Sequence, residues 1–162
     1  MKKISILVLI FVMFLGTTNA NASTRNKFIK RTAKYLCQEA KKILKDFKYN
    51  RDLLANVIYH ENWYTDKEKK TARWTGAVVL NRVESPNFPN TIEGVLYQKH
   101  PIQYSTTSKF FTEEIPQECY DMATELLLHG APEVPKNVVY QATFKQGSGE
   151  WKRLNGESFC YE

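Results

Sequence analysis

The chain has 162 residues, of which 43% are hydrophobic, 25% charged and 13% aromatic. This composition fits one folded domain of ordinary size and excludes disorder as a description of the whole chain. Lysine and arginine number 23 against 17 aspartates and glutamates, which gives a formal net charge of +6. That charge favours contact with polyanions, anionic walls or membranes without identifying a partner.

The first 22 residues have the three parts of a secretory signal. Met1-Lys2-Lys3 gives a positive start, and an apolar run from Ile4 to Leu15 follows. A retained membrane anchor is the alternative, but the run falls short of the roughly 20 residues needed to cross the hydrocarbon. Ala20-Asn21-Ala22 supplies a small-x-small cleavage site, so we predict export and removal of residues 1–22. The remaining 140 residues, from Ser23, carry a net charge of +4.

The cysteines are Cys37, Cys119 and Cys160, which are too widely spaced for a zinc knuckle. One disulfide is compatible with an exported chain. Cys119 with Cys160 is the preferred pair, because Cys160 lies in a predicted C-terminal strand that must pack on a helix. Three buried thiols are the alternative.

Helical periodicity dominates the next part of the chain. Residues 23–50 are predicted to form a basic amphipathic helix, whose lysine face is more typical of solubility than of binding. Asn50 is predicted to cap a second helix, from Arg51 to about Asn62. Thr65-Asp66-Lys67-Glu68 has the pattern of a capping box that opens a third helix. Its later part, Trp74 to Leu80, is mostly apolar and is expected at the centre of the core.

Two prolines in Ser85–Asn90 end that helix, because neither fits a helix interior. Thr91–Tyr97 is predicted to form one short helix. Gln98–Glu114 has little periodicity and is predicted to be a long surface loop, a kind of segment that is often functional. A further helix is expected from near Pro116 until Gly130 stops it.

The end of the chain has β-strand character. The β-prone segments are Val138–Phe144, Glu150–Leu154 and Glu157–Tyr161. The last two are joined by Asn155-Gly156, which is a strong hairpin signal. We therefore predict an α+β fold with a mostly helical body and a small C-terminal antiparallel β-meander.

Glu61 breaks the apolar pattern of the second predicted helix. The apolar positions 53, 54, 57 and 58 project onward to position 61 by the i+3 and i+4 rule. Desolvation by the following Asn62-Trp63-Tyr64, together with the negative end of the helix dipole, should raise the pKa of this carboxyl. Those are the conditions for a general acid near neutral pH. The alternative is that the helix frays and the side chain turns outward, as most glutamates do.

Four strings in this order resemble the SleB-type cell wall hydrolases, also called spore cortex-lytic enzymes. They are Leu54-Ala55-Asn56-Val57-Ile58-Tyr59-His60-Glu61, Gly76-Ala77-Val78-Val79-Leu80-Asn81-Arg82-Val83, Ser85-Pro86-Asn87-Phe88-Pro89-Asn90-Thr91-Ile92 and Gly94-Val95-Leu96-Tyr97-Gln98. The resemblance extends from about Arg51 to the C-terminus. The Val-Leu-Asn-Arg-Val and Phe-Pro-Asn-Thr-Ile pieces together are specific to this family, and either piece alone would be weak evidence of the resemblance.

The resemblance implies a lysozyme-like cell wall hydrolase catalytic domain over residues 51–162, related to lytic transglycosylases. Glu61 would be its single catalytic residue, cleaving the bond from N-acetylmuramic acid to N-acetylglucosamine and forming a 1,6-anhydro ring. The chemistry needs no metal or other cofactor and no second carboxylate. The expected partner is the peptidoglycan glycan strand, with no nucleic acid and with membrane contact only during export. We expect a monomer that is secreted and associated with the cell wall or spore cortex.

The resemblance also marks substrate-binding candidates, whose amides, hydroxyls and rings suit sugars. They are Gln103, Tyr104, Ser105, Tyr140 and Gln141. A structural role is the alternative for each of them. Asn81 and Arg82 lie in or at the end of a buried helix and are expected to hold the fold.

The sequence departs from the family after Glu61, where Asn62-Trp63-Tyr64-Thr65 replaces small residues and a Gly-Glu pair. The family's second acid in this loop therefore has no direct counterpart here, and Asp66 or Glu68 would have to take its place.

Three other functions remain open. A secreted nuclease could use the chain's histidines around a metal, but His60-Glu61 lacks the His-Glu-x-x-His spacing that places two ligands on one helix face. A wall-binding module could keep the fold without turnover. A hydrolytic muramidase would cleave the same bond by adding water.

Overall fold

The structure is a computed structural model that describes residues 22–162, so the predicted signal segment lies outside the described residues apart from Ala22. It consists of four α-helices, one 3-10 helix and three strands in this range. They are α1 (Ala22–Asn62), α2 (Lys70–Glu84), α3 (Ile92–Leu96), the 3-10 helix (Ser105–Lys109), α4 (Gln117–His129), β1 (Val138–Ala142), β2 (Gly149–Leu154) and β3 (Glu157–Tyr161). The predicted α+β class is confirmed.

The first helix is longer than the sequence pattern indicates. α1 is continuous from Ala22 to Asn62, so the predicted break with a new cap at Asn50 is wrong. No glycine or proline lies in this stretch, and one asparagine in a helix interior costs well under 1 kcal/mol. By contacts the chain divides into two units, the first ending at Lys45 and the second spanning Asp46–Glu162.

The N-terminus of α2 is capped differently from the predicted box. The helix begins at Lys70, after Lys69 in a left-handed conformation with φ 57°. The Asp66 carboxylate accepts hydrogen bonds from the backbone N–H of Lys70 at 2.9 Å and of Thr71 at 2.9 Å. Asp66 therefore satisfies the free N–H groups of the first turn from outside the helix.

The core of the second unit has two parts. In the larger, residues of α1 such as Leu53, Leu54 and Ile58 pack against α2, α3 and α4 and are fully buried. In the smaller, Trp74 and Val78 of α2 pack on the sheet, where Phe159 is fully buried. Trp74 and its neighbours thus lie in the core, as their apolar run predicts.

The elements between α2 and the sheet follow the sequence signals closely. Thr91 caps α3 by accepting a hydrogen bond from the Gly94 N–H at 3.0 Å. The expected long loop contains one turn of 3-10 helix at Ser105–Lys109. α4 ends at Gly130, whose φ of 69° suits glycine at a helix terminus.

The sheet is antiparallel, but it is not a meander. Its strand order is β1-β3-β2, with the last strand in the centre. β2 and β3 form the predicted hairpin through Asn155 and Gly156, both with positive φ. β3 has three fully buried residues in succession, Ser158–Cys160, whereas β2 has no buried residue, and its Lys152 and Arg153 are exposed. Burial of β3 between two partners satisfies its backbone on both edges, which explains the order.

The described cysteines are all free thiols. Cys119 and Cys160 are buried and Cys37 is exposed, so neither the preferred Cys119–Cys160 disulfide nor a set of three buried thiols is found. Cys119 packs in the larger part of the core, and the Cys160 sulfur accepts from the Gln146 N–H at 3.4 Å. The two sulfurs therefore have separate surroundings. In residues 22–162, no helix combines the length and the apolar character needed to cross a membrane.

Candidate active site around Glu61

Glu61 lies in the last turn of α1, directly after the most deeply buried part of that helix. Val57 and Ile58, one turn before it, are fully buried, and Glu61 itself is half-buried. The helix continues to Asn62, so the alternative of a helix that frays before Glu61 does not apply. The Glu61 carboxyl therefore lies at the edge of the core, at the end of the apolar face of α1.

The end of α1 is held in place by Asn62. Its amide donates to the Thr75 hydroxyl of α2 at 2.9 Å and accepts from the Thr65 hydroxyl at 2.9 Å. The bond to Thr75 is buried, where a hydrogen bond constrains geometry most strongly, and the bond from Thr65 is part-buried. The backbone beside Glu61 is thus fixed against α2.

Among residues 22–162 the Glu61 carboxylate has one direct hydrogen-bond partner, Thr106, whose hydroxyl donates to it at 2.5 Å. Burial raises the pKa of Glu61 above its ordinary value. The hydrogen bond from Thr106 and the positive charge of Lys109 oppose that shift, while the negative charge of Glu157 adds to it. The net direction is upward, which favours a protonated carboxyl at higher pH than for a solvated glutamate.

Thr106, Lys109 and Glu157 were missed from the sequence. Thr106 and Lys109 belong to the 3-10 helix in the predicted functional loop, and the serine and threonine content of that loop was the only signal available. Glu157 begins β3, 96 positions after Glu61 in the chain. Only the packing of the sheet brings its charge within electrostatic reach of Glu61.

Gln103, Tyr104 and Ser105 differ in their surroundings. Tyr104 is 5% exposed, and its hydroxyl is buried without a hydrogen-bond partner in the described part of the chain. Burial raises the pKa of Tyr104, the charge of Arg82 lowers it and that of Glu61 raises it further, so this phenol lies within electrostatic reach of Glu61. Gln103 accepts a hydrogen bond from Arg82 at 2.8 Å, and Ser105 is exposed. Tyr104 is therefore the member of this group that combines an unpaired polar atom with electrostatic reach to Glu61.

Tyr140 and Gln141 lie on β1, with half-buried side chains. The Gln141 side-chain carbonyl is buried and has no hydrogen-bond partner within residues 22–162. The Tyr140 ring packs edge-on against Phe88, with centroids 6.0 Å apart. No hydrogen bond between described residues joins either of them to Glu61. An unpaired buried amide oxygen is costly, so Gln141 is a position where a polar ligand group would be favourable.

Asn81 and Arg82 hold the fold. Asn81 donates to the backbone carbonyls of Pro135 and Val138 at 2.9 Å each. Arg82 is 1% exposed and donates to the Val139 carbonyl at 2.5 Å. Both residues tie α2 to the first strand, in agreement with the structural role expected for them.

The two suggested second acids are not placed beside Glu61. Burial by itself would raise the pKa of Asp66, but its hydrogen bonds from Thr71 and Lys70 hold that pKa below its ordinary value. Asp66 is thus committed to capping α2. Glu68 is exposed and lines a cavity of about 700 Å³ whose wall includes Trp63 and Tyr64 but not Glu61.

The histidines do not form a metal site. His60 is stacked on Phe110 with ring centroids 5.7 Å apart, and burial is the main reason that its pKa lies below the ordinary value. His100 and His129 are exposed. Between Ala22 and Glu162, no group of three or more His, Cys, Asp or Glu side chains is placed to hold a metal ion.

A family model described as cell wall hydrolase matches residues 66–158, which is more than half of the chain. The chain belongs to the cell wall hydrolase family. No curated protein and no solved structure matches it. The matched residues of this cell wall hydrolase include Thr106, Tyr104 and most of the sheet, and they begin five residues after Glu61. The family match therefore covers the surroundings of Glu61 without covering Glu61 itself.

Proposed function

We propose that this cell wall hydrolase is an exported, SleB-type peptidoglycan lytic transglycosylase in which Glu61 is the general acid. The observation that carries the proposal is a half-buried carboxyl with a raised pKa, bound by Thr106 and within electrostatic reach of Tyr104, whose hydroxyl has no partner among the described residues. A protonated carboxyl at the edge of a core is suited to giving up a proton to a leaving group.

In the proposed reaction, Glu61 donates its proton to the oxygen between N-acetylmuramic acid and N-acetylglucosamine, and the bond from that oxygen to C1 breaks. The resulting Glu61 carboxylate accepts the proton of the muramyl 6-hydroxyl, whose oxygen bonds to C1. The ring closes as a 1,6-anhydro sugar, and Glu61 is protonated again. Thr106 orients the carboxyl through its hydrogen bond and stabilises the charged form between the two steps.

The substrate-binding residues of the proposal have unequal support. Tyr104 and Gln141 each present a buried polar atom that lacks a partner in the described part of the chain. Both atoms are closed to solvent, so a glycan would satisfy them only after neighbouring side chains move. Tyr140 supplies an aromatic face on β1, and Gln103 and Ser105 flank Tyr104. The proposed partner is thus a peptidoglycan glycan strand, met in the cell wall or spore cortex after export.

A hydrolytic muramidase is the second candidate, and Glu157 is the observation that favours it. Glu157 is a second carboxylate within electrostatic reach of Glu61. Two carboxyl groups flanking a glycosidic bond are the usual arrangement of enzymes that cleave it with water. In that mechanism Glu157 would act as the base that activates the water.

Mass spectrometry of the fragments released from defined peptidoglycan separates the two candidates. The transglycosylase predicts anhydro-muramyl ends, which lack the water that hydrolysis adds. We expect the protein to release anhydro fragments in the presence of EDTA, and the Glu61→Gln variant to release at least about 10²-fold less while sedimenting equally with peptidoglycan. Hydrated ends would establish the muramidase. Equal release by both proteins would remove Glu61 from the mechanism, and no release by either would leave a wall-binding module.

A further inference from the structure

Beyond the predicted signal segment, the net positive charge of the chain is confined to residues 23–45. Residues 23–45 contain eight lysines and arginines and one glutamate, a net charge of +7. Residues 46–162 contain 13 lysines and arginines against 16 aspartates and glutamates, a net charge of −3. The unit that carries the candidate active site is therefore acidic, and attraction to polyanions comes from the helical segment 23–45, which we call the basic helix.

The basic helix has an unusually apolar exposed face. Its large apolar side chains are exposed by 38% at Phe28, 50% at Ile29, 56% at Ile43 and 67% at Leu44. At 3.6 residues per turn these side chains, with Leu36, lie within about one half of the helix circumference. These side chains are largely exposed to water, so burying them against an apolar partner would be favourable.

The cations occupy the other side of the same helix. Seven of the eight lysines and arginines in residues 23–45 project within an arc of about 120° opposite the apolar face, at 3.6 residues per turn. These seven are Lys27, Lys30, Arg31, Lys34, Lys41, Lys42 and Lys45. All seven are exposed, and none forms a salt bridge with another residue of the range 22–162. Their charges are therefore available to a partner.

Both faces together select the chemistry of that partner. An anionic polymer would neutralise the lysines but would leave Ile43 and Leu44 in water. A second copy would cover the apolar side chains but would bring together two segments of net charge +7. A bilayer that contains anionic lipid accepts the apolar face between its acyl chains and the lysines among its headgroups.

We propose that the basic helix binds in the plane of an anionic lipid bilayer and holds the enzyme at a membrane surface. The apolar face enters the boundary between headgroups and acyl chains, and the lysines pair with lipid phosphates. This inference does not depend on the role of Glu61, because no residue of the candidate active site takes part. It adds a membrane partner to the processed protein, where the sequence predicted membrane contact only during export.

Vesicle sedimentation of the processed protein, which begins at Ser23, tests the proposal. We expect binding to vesicles of phosphatidylcholine and phosphatidylglycerol in equal parts and at least tenfold weaker binding to phosphatidylcholine alone. The double variant Ile29→Gln, Ile43→Gln keeps the charge and should weaken binding at least about tenfold, because two side chains lose their apolar burial. The matched control is Leu128→Gln, Phe144→Gln, which changes two side chains that are 60% and 62% exposed outside the helix and should bind as the parent does.

A charge variant completes the design. Removing three cations with Lys34→Gln, Lys41→Gln, Lys45→Gln should weaken binding to the anionic vesicles by about fivefold for each lysine. Circular dichroism of every variant checks that the helix persists. Equal binding to both kinds of vesicle would overturn the proposal. Loss with the lysine variant and not with the isoleucine variant would also overturn it, because binding would then depend on charge alone and not on the apolar face. A dimer in light scattering that dissociates with Ile29→Gln, Ile43→Gln would show that a second copy covers the face.

Glycan cleavage measured on soluble peptidoglycan fragments keeps this test separate from the proposed enzymatic function. Glu61→Gln should bind vesicles as the parent does, and the isoleucine variant should cleave soluble fragments at the parental rate. Failure of vesicle binding with intact cleavage would refute the membrane proposal alone.

Discussion

The two parts of this chain use their hydrophobic residues in opposite ways. In residues 46–162 the large aliphatic side chains of α1 are fully buried, as at Leu53 and Leu54. In residues 23–45 of the same helix, Ile43 and Leu44 are more than half exposed. The charge differs in the same way, −3 against +7. One continuous helix thus has two amphipathic segments. The apolar face of one packs in the core, and the apolar face of the other is exposed and suits an external surface.

The largest effect should come from the candidate active site. Glu61→Gln removes the proton that the proposed acid donates, and general acid catalysis typically contributes about 10²–10⁴-fold. We therefore expect release of soluble fragments to fall by about that factor. The matched comparison is Lys34→Gln, Lys41→Gln, Lys45→Gln, which should leave the cleavage of soluble fragments unchanged. A similar loss in both proteins would contradict the division of labour between the two regions.

The same substitution at two positions of α1 tests the contrast in packing. Leu53 is fully buried and Leu44 is 67% exposed. Leu53→Ala leaves a cavity in the core and should lower the free energy of unfolding by about 2–5 kcal/mol. Leu44→Ala should change it by less than about 0.5 kcal/mol. Urea denaturation followed by circular dichroism measures both, and equal values would show that the exposed face is packed in solution.

The smallest effects are opposite shifts in the pH dependence of cleavage. A general acid must be protonated, so activity should fall as the pH rises through the raised pKa of Glu61. Glu157→Gln removes a negative charge that raises this pKa, and the falling limb should move to lower pH. Thr106→Val removes a hydrogen bond that lowers it, and the limb should move to higher pH. Full pH–rate profiles on soluble peptidoglycan fragments measure both shifts.

The pH profiles also bear on the second candidate function. If Glu157 is only a charge near Glu61, Glu157→Gln should retain most of the activity at its own optimum. If it activates water, the loss should reach about 10²-fold or more at every pH. Full-rate cleavage with an unmoved profile in both variants would indicate that neither side chain acts on Glu61.

The sequence located Glu61 because local periodicity fixes which side of a helix faces the core. It also predicted α4, the short α3 helix and the β2–β3 hairpin, each marked by local signals such as Gly130, Thr91 and Asn155-Gly156. A local signal gave a wrong prediction where the same residue is compatible with more than one conformation, as at Asn50. The Asn50 cap was not used, because the surrounding residues continue the helix equally well.

By itself, then, the sequence determined the α+β class, most helix ends and a carboxyl at the end of a core stripe, because neighbouring residues encode these features. The tertiary structure alone decided that Thr106 and Glu157 reach Glu61 and that β3 lies between β1 and β2. Thr106 and Glu157 lie 45 and 96 positions after Glu61, and their approach depends on how whole elements bury their apolar faces. Packing of that kind leaves no periodic trace in the sequence.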